Sequence, residues 1–159
     1  MRALLLSALL VFALDQASKY GVVWGLDLIN LRRIEVLPPY LVFQIGWNEG
    51  INFGLFSGAP DAVRWVLVAL AIGISLWVAH WALKDGRLWA QISGGLLVGG
   101  ALGNAIDRVI HGAVADFLNM SCCGIVNPFS FNIADVGVFL GAIGLILLSG
   151  KDAPPKKPA

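Results

Sequence analysis

Charged residues are scarce in this sequence of 159 residues: Asp, Glu, Lys and Arg make up 13%, while 58% of the residues are hydrophobic. A soluble domain of this length could not bury so much apolar surface, so the composition predicts a membrane protein with one domain. Basic residues outnumber acidic ones by a single charge, 11 against 10. That balance excludes a strongly basic protein that binds nucleic acid.

Cysteine and histidine are also scarce, with two residues of each. Cys122 and Cys123 are adjacent, and vicinal cysteines rarely bridge each other, which argues against a disulfide framework. Neither residue type shows the spacing of a metal site, so we expect no metal. A cysteine nucleophile with His111 as its base is a weaker alternative that the residues leave open.

Apolar residues are concentrated in runs of about 20 residues, the length that crosses a bilayer. The first run follows Arg2 and could also be a secretory signal peptide. Because apolar character resumes after the interruption at Asp15–Lys19, we expect a retained helix instead. The sequence therefore predicts an all-α membrane protein whose four transmembrane helices cover about residues 3–24, 62–83, 88–110 and 132–149.

The segments between the runs differ from the helices in composition. Pro38-Pro39 predicts a turn before a short strand, and residues 46–54 and 111–130 read as irregular loops. We therefore expect a small β-containing extracytoplasmic loop region. Residues 1–150 would form the single membrane domain, and the Lys- and Pro-rich residues 151–159 a disordered cytoplasmic tail.

Two local signals refine the helices. Asp61, after Pro60, has the residue type of an N-cap for the second run. Gly95, Gly99 and Gly103 recur every four residues in the third run. Such a stripe of small residues predicts close packing against a neighbouring helix.

The basic residues suggest an orientation. With four spans, six of them fall on the side of both termini and about five on the other side. By the positive-inside rule both termini are expected in the cytoplasm. Most polar residues of the spans then lie at the outer end: Asp15, Lys19, Asn104, Asp107, Arg108, Asn132 and Asp135. The outer loops add Asn48 and Asp116 to the same side.

Some of these groups have a structural explanation. Asp15 and Lys19 are an i, i+4 pair that can neutralise itself in the membrane. Gly100, Asn104 and Asp107 share one helix face, and Asp107 and Arg108 could simply form an ion pair near the helix end. A ring of caps and ion pairs that stabilises a helix bundle is the alternative to a functional site.

Asp116 and Asp135 have no basic residue within four positions. Asp135 could be an acid favoured by a helix N-terminus, and Asp116 an acid of a hydrated loop. Together they could form a dyad that shares one proton and acts as base and acid on a carbonyl. Spacing alone does not choose between Asp107 and Asp116 as the partner of Asp135.

Two other classes remain open from the residues alone. A proton-coupled transporter or channel also carries carboxylates in its membrane helices, but it would distribute them across the membrane. A structural protein with four spans would use the same carboxylates for assembly only.

Five blocks, in order, resemble those of the bacterial lipoprotein signal peptidases, the signal peptidase II family of aspartic peptidases. The resemblance covers nearly the whole chain except its tail. The blocks are Asp15-Gln16-Ala17-Ser18-Lys19, Asn48-Glu49-Gly50-Ile51-Asn52-Phe53-Gly54, Gly103-Asn104-Ala105-Ile106-Asp107-Arg108, Val114-Ala115-Asp116-Phe117 and Phe131-Asn132-Ile133-Ala134-Asp135.

The resemblance implies an endopeptidase of the bacterial inner membrane with its active site near the periplasmic face. It would cut a diacylglyceryl-modified prolipoprotein on the amino side of the lipidated cysteine, without a cofactor. Lipid and substrate would be its partners, nucleic acid would not, and the chain would be a monomer. The resemblance places the catalytic pair on Asp116 and Asp135. It places substrate-binding or supporting residues on Asp15, Lys19, Asn48, Gly100, Asn104, Asp107, Arg108 and Asn132. At Ile51-Asn52 the chain departs from the small residues usual in the family.

Overall fold

A computed structural model describes residues 1–50 and 60–147. Within them, helices dominate and three strands form one small sheet. The helices are α1 Arg2–Lys19, a π-helix Tyr20–Gly25 that continues it, α2 Leu28–Leu31, α3 Pro60–Asp85, α4 Leu88–His111 and α5 Ile133–Leu147. The expectation of a helical protein with a small β-containing region is confirmed at this level.

Two helical segments of the described residues are long and apolar enough to cross a membrane, Arg2–Gly25 and Asp61–Asp85. In α4, which is as long as these segments, the last two turns carry Asp107 and Arg108. The described part of α5 is apolar but has 15 residues. Asp61 lies in the first turn of α3, so its expected role as N-cap is wrong: the helix already begins at Pro60.

Helix α4 lies at the centre of the bundle and packs against α1, α3 and α5. The expected glycine stripe is confirmed on its α1 side. A Cβ at Gly99 would collide with the main chain of Ala8, and a Cβ at Gly95 would collide with Leu4 and Ser7. Close approach of the two backbones therefore requires glycine at these positions. Helix α5 contributes small residues of its own, because Gly141 meets the α4 main chain at Ser93 and Leu97.

The sheet lies at the end of the bundle where α1 and α4 end. Its strands are β1 Arg33–Leu37, β2 Leu41–Asn48 and β3 Val114–Asn119, antiparallel in the order β1-β2-β3. A core of Val23, Leu28, Ile45, Ala115 and Phe117 joins the sheet to the π-helix and α2.

Two expected loops are partly strands. Residues 46–48, expected to be irregular, continue β2, where the pairing register shifts before Gly46. Residues 114–119, expected within a loop, form β3, whose first four residues are all buried. A strand buried on both faces shows no alternation of apolar and polar residues, which is why the pattern looked irregular. Residues 51–54 lie outside the described residues.

Candidate active site

Asn132 stands at the junction between the loop and α5, and its side chain is fully buried. Its Oδ1 accepts a hydrogen bond from the Asp135 N–H at 2.9 Å, while its own N–H donates to Asp135 Oδ2 at 3.2 Å. This reciprocal pair is a capping box, which satisfies two N–H groups at the helix start. Asn132 therefore precedes the helix, and the expected helix start at residue 132 shifts to Ile133.

The same amide connects the two carboxylates. Asn132 Nδ2 donates to Asp116 Oδ1 at 2.6 Å and to Asn104 Oδ1 at 3.1 Å. Asn104 Nδ2 in turn donates to Asp135 Oδ1 at 2.8 Å. The structure thus brings Asp116, Asp135 and both asparagines into one hydrogen-bonded network. Asn48, on β2, completes it by donating to Asp116 Oδ2 at 3.1 Å.

The electrostatics of Asp116 follow from this position. Burial, and after it the nearby charge of Asp135, raise its pKa from the ordinary 3.8 to about 6. The hydrogen bonds from Asn48 and Asn132 oppose the shift because they favour the ionised form. Close carboxylates of this kind hold a proton more tightly than isolated ones, so Asp116 is suited to keep a proton up to a pH of about 6.

Arg108 supplies positive charge beside the network. It interacts electrostatically with both Asp116 and Asp135. Its Nη1 donates to the main-chain oxygen of Asn104 at 3.3 Å, and its buried Nε has no hydrogen-bond partner among the described residues. The expected ion pair between Asp107 and Arg108 is not the contact that holds Asp107, which instead meets a lysine from α1.

Lys19, from α1, is the centre of a buried ion cluster that also contains Asp15 and Asp107. Lys19 Nζ lies 2.7 Å from Asp15 Oδ2 and 2.7 Å from Asp107 Oδ2. The side chains are 2%, 0% and 4% exposed for Lys19, Asp15 and Asp107. The expected i, i+4 pair of Asp15 and Lys19 is therefore present, with a second acid that spacing did not reveal.

The two carboxylates of the buried ion cluster also accept hydrogen bonds from main-chain N–H groups. Asp15 Oδ1 accepts from the Ala134 N–H at 2.9 Å, and Asp107 Oδ2 accepts from the Ala115 N–H at 3.3 Å. Ala134 directly precedes Asp135, and Ala115 directly precedes Asp116. Lys19 Nζ reaches Asn104 Oδ1 at 3.4 Å as well. One lysine thus sets the relative position of the two segments that carry the paired carboxylates.

Gly100 belongs to the site through packing. A Cβ there would collide with the Ala134 main-chain oxygen, so glycine lets α5 begin directly against α4. At Gly103 a Cβ would lie 2.8 Å from Asp15 Oδ2, so this glycine leaves room for the buried ion cluster.

Sequence reasoning missed the contribution of Gln16. Its Nε2 donates to Asp15 Oδ2 at 3.1 Å and to Asp107 Oδ1 at 3.1 Å. Gln16 lies between Asp15 and Lys19 in the first of the five family blocks, and that position was the sequence signal that could have identified its role. Histidine and cysteine show no such grouping: His111 packs against Trp24 and Trp47, and Cys122 and Cys123 are exposed. The described residues contain no cluster of three or more His, Cys, Asp or Glu suited to a metal ion.

Comparison with known proteins identifies the family. A family model described as signal peptidase (SPase) II matches residues 7–150. The chain belongs to the signal peptidase II family. The network around Asn132 and the buried ion cluster are thus parts of a protease of this family.

Individual relatives agree with this assignment. The lipoprotein signal peptidase of Methylorubrum extorquens (strain PA1) is 39% identical over 153 residues, which cover 96% of this chain and 88% of that protein. The lipoprotein signal peptidase of Methylobacterium radiotolerans is 42% identical over 146 residues, covering 92% of this chain and 84% of that protein.

Solved structures are also similar to this signal peptidase II chain. One is described as a bacterial membrane enzyme structure by the in meso method at 1.9 Å resolution. It is 31% identical, covers 96% of each chain and has a TM-score of 0.80. A second, at 2.3 Å resolution, has a TM-score of 0.77 at the same identity, covering 100% of this chain and 94% of the other.

Proposed function

We propose that this signal peptidase II chain is an aspartic endopeptidase that removes the signal peptide from diacylglyceryl-modified prolipoproteins. It cuts on the amino side of the lipidated cysteine, without a metal or other cofactor. The observation that carries the proposal is the joining of Asp116 and Asp135 through the Asn132 amide. The names of the relatives, lipoprotein signal peptidases, support the substrate class.

The two acids have different surroundings, which suggests separate roles. Asp116, whose pKa is about 6, holds the shared proton. Asp135 accepts hydrogen bonds from Asn104 Nδ2 and the Asn132 N–H, which orient its carboxylate, while Asp116 carries the proton. Asp135 is therefore the base towards water, and Asp116 is the acid towards the scissile carbonyl oxygen.

Hydrolysis then needs one water. Asp135 takes a proton from the water as its oxygen attacks the carbonyl carbon, and Asp116 gives its proton to the carbonyl oxygen. When the resulting diol collapses, the C–N bond breaks and Asp135 passes its proton to the leaving amine of the cysteine. A diol hydroxyl returns a proton to Asp116, so the dyad regains its starting state. Arg108 and Asn48 border the dyad and position substrate main chain.

The remaining residues support this geometry. Asn104 and Asn132 orient the carboxylates through the hydrogen bonds described above, and Gly100 brings α5 against α4. The buried ion cluster of Asp15, Lys19 and Asp107 fixes the residues that precede both acids. We assign these three side chains a positioning role.

The membrane arrangement is part of the proposal. Four spans, about 3–24, 62–83, 88–110 and 132–149, form one domain of residues 1–150, with residues 151–159 as a cytoplasmic tail. Leu76 and Trp77 of α3 and Ile146 of α5 are more than 65% exposed, as expected for side chains that face lipid. The protein acts as a monomer in the bacterial inner membrane, with both termini cytoplasmic and the dyad near the periplasmic face.

A gel-shift assay with purified protein and a diacylglyceryl prolipoprotein tests the proposal. Wild type releases the signal peptide, whereas Asp116→Asn and Asp135→Asn lose more than about 1,000-fold in rate, because neither variant can shuttle the proton. Asp61→Asn is the matched control, since the Asp61 side chain is 90% exposed. A non-lipidated substrate tests the requirement for the lipid.

Thermal unfolding of each variant must accompany the rates. Processing at the normal rate by a folded Asp116→Asn or Asp135→Asn variant would show that the dyad assignment is wrong. Equal cleavage of lipidated and non-lipidated substrates would refute the proposed lipid requirement.

A further inference from the structure

An aromatic pocket lies beside the sheet, apart from the hydrogen-bonded network of the carboxylates. Its volume is about 470 Å³, within the range of small-molecule sites. The His111 ring packs against Trp24 and Trp47, with ring centroids 5.2 and 6.0 Å apart. The aromatic pocket is lined by Trp24, Ile29, Trp47, Glu49, His111 and Ala113.

Strand geometry separates the aromatic pocket from the dyad. Trp47 and Asn48 are consecutive in β2, and successive side chains of a strand point to opposite faces. Asn48 contacts Asp116 on one face, so Trp47 faces away from it. None of the residues that line the aromatic pocket has a place in the proposed proteolysis.

The charges around the aromatic pocket favour a cation. Among the described residues, Glu49 is the acidic side chain of the lining, and His111 is its basic one. Helix α4 ends at His111, so the partial negative charge of the helix C-terminus also lies here. Arg64, from α3, lies beside the end of α4 but is not part of the lining: it donates to the Val109 main-chain oxygen at 2.7 Å and stacks over Trp65.

Aromatic faces and a carboxylate around one cavity are the chemistry that recognises an ammonium group. The ring quadrupole attracts a cation within about 6 Å, and tryptophan does so most strongly. From the rings of Trp24 and Trp47 with Glu49, we propose that the aromatic pocket binds an ammonium headgroup. Its source is a membrane lipid with a choline or ethanolamine headgroup.

The surroundings of the aromatic pocket support a lipid source. Trp24 stacks on Tyr20 with centroids 5.1 Å apart, and tyrosine and tryptophan are enriched where a helix leaves the membrane. Leu26, which precedes α2, and Leu31, its last residue, are 52% and 59% exposed. Exposed apolar side chains in the segment that leads to the aromatic pocket suit the boundary between acyl chains and headgroups.

Soluble probes test the recognition chemistry first. Saturation-transfer NMR on the full chain in detergent compares choline with 3,3-dimethylbutan-1-ol, which has the same shape without the charge. We expect choline to bind at least about fivefold more tightly than the neutral alcohol. Glu49→Gln and Trp47→Leu each weaken choline binding by about fivefold, whereas Trp77→Leu, an exposed tryptophan of α3, has no effect.

Whether the bound ammonium group comes from a membrane lipid is tested with nanodiscs that contain equal amounts of phosphatidylcholine and phosphatidylglycerol. Native mass spectrometry of the released protein should show phosphatidylcholine retained by wild type and lost from Glu49→Gln. Choline binding without lipid retention would overturn the lipid source and leave a site for a soluble ammonium compound. Equal binding of choline and the neutral alcohol would overturn the proposal. So would an equal loss in Trp77→Leu, provided that thermal unfolding shows all variants folded.

Discussion

Lys19→Met is expected to unfold the protein at lower denaturant concentration by removing the cation from the buried ion cluster. Each Lys19–carboxylate contact is 2.7 Å long, worth about 6 kcal/mol of Coulomb attraction at an effective dielectric constant of 20. Desolvation of the lysine offsets much of this attraction. Loss of one partner from a buried ion pair costs about 3–5 kcal/mol in measured cases, because the remaining charge stays buried.

The same cost applies here, since Lys19→Met leaves Asp15 and Asp107 buried and facing each other without a cation. We therefore expect a loss of about 3–5 kcal/mol in unfolding free energy, measured by titration with SDS in mixed micelles. The matched control is Lys84→Met, which removes an exposed lysine at the end of α3 and should change stability by less than about 0.5 kcal/mol.

A double variant separates charge from packing. Lys19→Met with Asp107→Asn returns the cluster to a net charge of −1, so it should be more stable than the sum of the single losses by about 1–3 kcal/mol. Processing of the lipidated substrate should fall in Lys19→Met even where the protein is folded. Asp107 and Asp15, which accept from the Ala115 and Ala134 N–H groups, lose the cation that holds them in place. Stability within 1 kcal/mol of wild type, or strictly additive losses, would refute the reasoning.

The site and the bundle give four further predictions. Because the pKa of Asp116 is about 6, kcat/KM should fall as pH rises through about 6, where the free enzyme loses the shared proton. The native state also binds this proton more tightly than the unfolded chain, so stability should decrease between pH 3.8 and about 6 and then level off. Asn48→Ala removes a hydrogen bond that lowers this pKa and should move the kinetic inflection to higher pH; an unchanged inflection would contradict the assignment. Gly99→Ala should lower the unfolding temperature, because its Cβ meets the Ala8 main chain, whereas Gly73→Ala, with open space around it, should not; equal effects in thermal unfolding would contradict the packing argument.

Several features could be predicted from neighbouring residues alone. The apolar runs indicated the helices, and the four-residue spacing of Gly95, Gly99 and Gly103 indicated a close helix contact. The pair of Asp15 and Lys19 was also visible, because residues four apart meet on a helix face. Each of these signals depends on periodicity within one element.

Features that depend on the meeting of distant segments could not be predicted in this way. Spacing left Asp107 open as an ion-pair partner of its neighbour Arg108 or as the second acid of a dyad, but in the structure it pairs with Lys19 on another helix. Strand β3 read as a loop because it is buried on both faces and therefore lacks alternation. Residues 51–54 of the second block lie outside the described residues, so the expectation that they form an irregular loop stays a prediction.

By itself, the sequence determined the class of protein, the helices and the short list of polar residues from which a site could be built. It also carried the family's blocks, and with them the hypothesis that Asp116 pairs with Asp135. Only the tertiary structure decided how these residues meet: Asn132 bridges the carboxylates, and Lys19 holds the acids that fix the residue before each of them. The reason is physical, since such contacts depend on how closely glycine lets α1, α4 and α5 approach.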